Sequence, residues 1–173
     1  MRFRANLNPL KQISTPVNLT NHTYFNLAGH DEPRGILDHM LSINAFGYTE
    51  TDHDSIPTGK ICNHAHMDFT DAKKLEDAII ARGKAEGYSD EEIDSALKRT
   101  GRGGPQGSPP LGFDDNFCLN GFDNNQKDPL RSIAVLSHAC GRRLEVLSTT
   151  PGVQLYTANY IDRVLGKSGS EYR

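Results

Sequence analysis

The stretch Thr15–Gly29, TPVNLTNHTYFNLAG, holds His22 among three asparagines and two aromatic rings, with no charged side chain. An unperturbed imidazole titrates near pH 6.5, so His22 is a candidate acid or base. Asn18, Asn21 and Asn26 are suited to hydrogen-bonding a polyol, and Tyr24 and Phe25 to offering a ring face to a sugar. The same composition also fits a buried histidine satisfied by backbone groups. A second candidate is GFDDNF, residues 112–117, where Asp114 and Asp115 stand between aromatics. Neighbours on a strand face opposite ways, so one carboxylate at most reaches a given site. A turn with two solvated carboxylates is the plainer alternative. Gln154 alternates in phase with Tyr156 after a Pro-Gly turn, placed either to reach a ligand or to face solvent. HAHMD at 64–68 sets His64, His66 and Asp68 on one face of an expected strand, a spacing that suits a metal ion. No further ligand cluster accompanies it, and the sequence reading is that no metal or cofactor is required.

These side chains need elements to hold them. Period-two alternation predicts strands near 36–46, 131–138, 142–150 and 152–160. ACGRR at 139–143 supplies the glycine of a hairpin turn between the second and third. Residues 71–100 change period and read as helical. In the first helix Leu75, Ala78, Ile79 and Arg82 share a face, with Gly83 as the expected stop. In the second, Ser89 and Glu92 form a capping box, and Tyr88 and Ile93 a hydrophobic staple. GRGGPQGSPPLG at 101–112 is too rich in Gly and Pro to pack and reads as a mobile loop.

The 173 residues carry a net charge of −3, and 36% are hydrophobic. This balance gives no electrostatic reason to bind nucleic acid or an acidic membrane surface. No apolar run reaches the roughly 20 residues of a membrane span. The first ten residues lack the apolar core of a secretory signal, which predicts a cytoplasmic protein in which the Asn18 and Asn21 sequons stay unmodified. Three widely spaced cysteines read as reduced thiols. No specific protein partner is implied.

The His22 run resembles the aldose 1-epimerases, also called galactose mutarotases. The likeness continues, in the family's order, through ILDHMLSINA, IPTGKI, GFDDNF, GRRLEVLSTTPGVQLYTANY and GKSGSEY. It implies an all-β fold, a large twisted antiparallel β-sandwich, and interconversion of the α and β anomers of free hexoses such as galactose and glucose. Mapped by motif, His22 corresponds to the histidine general acid, and Asp114 and Gln154 to residues that hydrogen-bond the sugar hydroxyls.

Three departures accompany the likeness. The family commonly has His where Asp115 stands, which is expected to place a second negative charge near the site. The family's catalytic glutamate belongs to a motif of the type Gly-Phe-Cys-Leu-Glu, and no such motif occurs here. Residues 1–173 are therefore expected to be the central part of one domain truncated at both ends, with a catalytically inactive sugar-binding fragment as the alternative reading. Finally, residues 71–110 are expected to be a helical and Gly/Pro-rich insertion.

Overall fold

Eight strands pair into two four-stranded sheets. The structure, a computed structural model, describes residues 6, 8, 14–98, 111–123, 129–161, 164–166, 169 and 171–172. The strands are β1 (Met40–Ile43), β2 (Ala45–Thr51), β3 (Pro57–Cys62), β4 (Lys73–Lys74), β5 (Asp114–Leu119), β6 (Arg131–Ser137), β7 (Arg143–Ser148), β8 (Gly152–Tyr156), β9 (Val164–Leu165) and β10 (Glu171–Tyr172). One sheet runs β4-β1-β6-β7 and the other β3-β2-β5-β8, while β9 and β10 pair by themselves. Every pairing among the described strands is antiparallel. The all-β expectation holds, and among the described residues α-helix is confined to α1 (Leu75–Ala85) and α2 (Asp90–Lys98), with a 3-10 turn at Ala65–Met67.

The expected strand at 36–46 is in fact two. Residues 36–38 belong to a turn, and the chain changes sheets at Asn44. There the Asn44 N–H donates to Ile133 O in one sheet, and Asn44 O accepts from Asn120 N–H beside the other. Alternation persists through the crossing, so periodicity alone does not reveal it. Ile56-Pro57-Thr58-Gly59 has the composition of a turn, yet Pro57 opens β3. That strand lies at a sheet edge, where the first residue can do without a donor. The β6–β7 hairpin closes as expected, with His138 N–H donating to Arg142 O around Gly141.

Both sheets contribute to one core. Leu41, Ile43 and Ile133 come from the first, Phe117 and Leu119 from the second, and Phe113 lies just before β5. Leu75, Ala78, Ile79 and Ile93 fill the same core from the two helices. The capping box forms in both directions: Ser89 N–H donates to Glu92 Oε2 at 2.8 Å, and Glu92 N–H to Ser89 Oγ at 3.2 Å. The expected stop at Gly83 is not one. The helix runs on to Ala85, and Gly83 is buried at the helix–helix contact, where a Cβ would stand 2.8 Å from Ile93 Cγ1. A glycine signals either a terminus or a close approach, and here packing decides. Residues 101–110 of the expected mobile loop lie outside the described residues.

Candidate active site

The second sheet presents one face to the core and one to solvent, and β5 shows the division most clearly. Its burial alternates, with Asp115, Phe117 and Leu119 inward and Asp114 exposed. In β8, Gln154 lies opposite Asn116, and Tyr156 opposite Asp114. Directly opposed residues share a face. Asp114, Asn116, Gln154 and Tyr156 therefore form one outward patch. Gln154 Nε2 donates to Asp114 Oδ1 at 2.9 Å, and Asn116 Nδ2 donates to Thr49 Oγ1 at 2.8 Å.

The segment carrying His22 lies over this patch. The His22 ring is 5.1 Å from Tyr24 and 6.5 Å from Tyr156, edge-on to the latter, and Tyr24 and Tyr156 are 5.9 Å apart. The Tyr24 phenol is held above its ordinary range, chiefly by partial desolvation and then by Tyr156 and Asp114 nearby. His22, Asp114 and Gln154, three residues drawn from distant parts of the sequence, thus converge around two tyrosines. Tyr24 was legible as a ring face. Tyr156 was legible only through its phase with Gln154, and its place between His22 and Asp114 follows from the β5–β8 register.

The loop entering β5 is fixed tightly. Phe113 N–H donates to Thr157 Oγ1 at 2.7 Å, and Phe113 O accepts from Thr157 N–H and from Asn159 Nδ2. Gly112 lies so close to this clamp that a Cβ would stand 1.9 Å from Asn159 Oδ1 and 2.2 Å from Thr157 Oγ1. The segment bearing His22 is secured further along. Leu27 N–H donates to Nε2 of fully buried His39 at 2.8 Å, and Arg142 Nη1 donates to Leu27 O at 2.7 Å.

Asp115 does not bring a second charge to the outward patch. It points to the opposite face and receives Arg82 Nη1 of α1 at 2.5 Å. Strand alternation rules out the shared placement. Nor do His64, His66 and Asp68 share a strand face. They flank and enter the 3-10 turn, where His64 Nδ1 meets the Tyr48 hydroxyl at 2.6 Å and Asp68 Oδ1 accepts from both the amide and the hydroxyl of Thr70. Among the described residues, the group close enough to share a cation is Asp52, His53 and Asp54. All three are exposed, and Asp52 Oδ1 is taken by the amides of Asp54 and Ile56.

The family model for aldose 1-epimerase matches residues 6–172. The chain belongs to the aldose 1-epimerase family. It is 39% identical to the galactose mutarotases of Bos taurus and Homo sapiens, over 92% of this chain. It is 26% identical to the aldose 1-epimerase of Haemophilus influenzae. The chain spans about 38% of the length of the mammalian relatives. Among solved structures, the aldose epimerase homologue from C. elegans superposes with a TM-score of 0.60 at 22% identity, over 88% of this chain and 37% of that one. The galactose 1-epimerase from Lactobacillus acidophilus gives 0.52 at 28% identity, over 83% of this chain and 33% of that one. No helix among the described residues is long and apolar enough to cross a membrane.

Proposed function

We propose that this chain forms the central part of an aldose 1-epimerase domain, with residues 71–110 inserted in it, and supplies the acid and the hydroxyl-binding wall of the site. The substrate is a free hexose such as galactose or glucose. A base accepts the proton of the anomeric hydroxyl, and the O–H electron pair forms the C1=O bond. The bond from C1 to the ring oxygen breaks, and its electrons go to that oxygen, which takes a proton from His22. After rotation about C1–C2 the steps reverse. His22 recovers the proton as the ring oxygen attacks the other face of C1, and the base returns its proton to the anomeric oxygen. Asp114 and Gln154 bind the sugar hydroxyls, and Tyr24 and Tyr156 flank them. The observation that carries this reading is the convergence of His22, Tyr24 and Tyr156 over the bonded Asp114–Gln154 pair.

The Gly-Phe-Cys-Leu-Glu type of motif does not occur in residues 1–173, and the second reading is that these residues bind sugar without turning it over. One experiment separates the two. Galactose titrated into the chain should move the ring resonances of Tyr24 and Tyr156 and the side-chain amide of Gln154. Polarimetry of freshly dissolved α-D-galactose should show no appreciable acceleration by the chain alone. Added formate, standing in for a carboxylate base, should produce acceleration, and His22→Ala should abolish it. Shifts without formate-dependent turnover would establish the binder. Resonances that ignore the sugar would overturn both readings.

A further inference from the structure

The Asp115 carboxylate has two partners of different kinds. Its Oδ2 receives Arg82 Nη1 from helix α1 and also the backbone N–H of Asp114, at 3.0 Å. Arg82 is itself held in place, since its Nε donates to Glu86 Oε1 at 2.8 Å and its guanidinium lies 5.3 Å from the centre of the Phe113 ring. Burial works against its charge, but Asp115 and Glu86 outweigh that and keep the guanidinium above its ordinary range. A single buried carboxylate oxygen thus joins the inserted helix to the peptide group of the residue that holds Gln154.

We infer that Arg82 is a positioning residue for the Asp114–Gln154 pair, acting from α1 through Asp115 on the core face of β5. Without the guanidinium, Asp115 loses the partner that offsets its burial and rotates toward water, since an unpaired buried charge is costly. Rotation removes the acceptor from the Asp114 amide at the first residue of the strand. The Asp114 side chain then loses its fixed approach to Gln154 Nε2. The inserted helix would in this way tune hexose affinity from the far side of the sheet, a consequence that rests on the site proposed above.

The test has a sugar-free arm and a sugar arm, both on the whole chain. In the first, the side-chain amide resonances of Gln154 are compared among wild type, Arg82→Gln and Arg82→Lys, with a cooperative melt as the check on folding. Arg82→Gln should move them toward the position of a solvated amide. Arg82→Lys, which keeps the charge but not the fork, should move them part of the way. Unmoved resonances in either folded variant would overturn the inference, and Arg82→Lys decides it should Arg82→Gln not fold. In the second arm, galactose affinity should fall on the order of tenfold in Arg82→Gln, the loss expected when one charge-assisted hydrogen bond is mis-set. Unchanged affinity would also overturn it. Failure of wild type to bind galactose would count against the proposed function alone, because the sugar-free arm still decides the role of Arg82.

Discussion

The segment that carries His22 and the segment that carries the two helices are built on opposite plans. Residues 14–25 are exposed throughout and form no strand or helix. They meet the patch through aromatic contacts, and from Leu27 onward the segment is held by His39 and Arg142. Residues 71–98 are rich in local order, with a reciprocal capping box and four side chains in the shared core. The difference teaches where the fold invests. The helices interrupt the strand pattern, yet they are part of the core. The run around His22 contributes no side chain to that buried core.

The comparison predicts that damage to one segment costs rate and damage to the other costs stability. The largest effect should come from His22→Ala in an active protein carrying these residues. Losing the acid should lower turnover by roughly 10²–10⁴, mainly in kcat, since the proton is delivered in the transition state. Stability should change by about 0.5 kcal/mol or less, as for other exposed sites, so polarimetry and a urea melt must disagree. A raised KM with intact kcat would make His22 a binding residue instead. Ile79→Ala on α1 should do the reverse. It removes a buried side chain and should cost about 2–5 kcal/mol, read as a lower urea midpoint.

The joint between the His22 segment and the body should show itself in pH dependence. Burial, followed by the nearby His138, lowers the pKa of His39, against smaller opposing contributions from Ile36, Asp38 and Glu32. The unfolded chain therefore takes up a proton first as pH falls. Stability due to this group should be intact above about pH 6.5 and decline as pH drops toward the lowered folded value. The slope for one proton is at most about 1.4 kcal/mol per pH unit. Melts from pH 7.5 to pH 5 of wild type and His39→Gln should diverge in that direction, and parallel curves would remove His39 from the account. The smallest effect belongs to Ser89→Ala, which loses one cap at an exposed helix end and should cost about 1 kcal/mol.

Much of this was legible because local chemistry and tertiary position agreed. Ser89 and Glu92 cap the helix their spacing announces, and Gly141 turns the hairpin its neighbours require. His22, Asp114 and Gln154 were marked by motif, and the structure brings them to one patch. Elsewhere a signal had two physical meanings. Gly83 fits a helix end or a crowded contact, and Ile93 settles the matter only in three dimensions. Pro57 fits a turn or the start of an edge strand. The alternation across 36–46 is continuous although the chain changes sheets at Asn44. The partner of Asp115 could not be read from the sequence at all, because Arg82 lies 33 residues away on another element.

Gly112 has no side chain to offer a substrate, and yet Thr157 and Asn159 confine it so closely that a Cβ has no room. A larger residue there must push apart the clamp on Phe113 and displace the start of β5, with Asp114 next in line. In a saturation screen scored on activity, Gly112 should be as intolerant as His22. The two would be told apart by abundance: His22 variants should accumulate as inactive protein, and Gly112 variants should be lost to degradation.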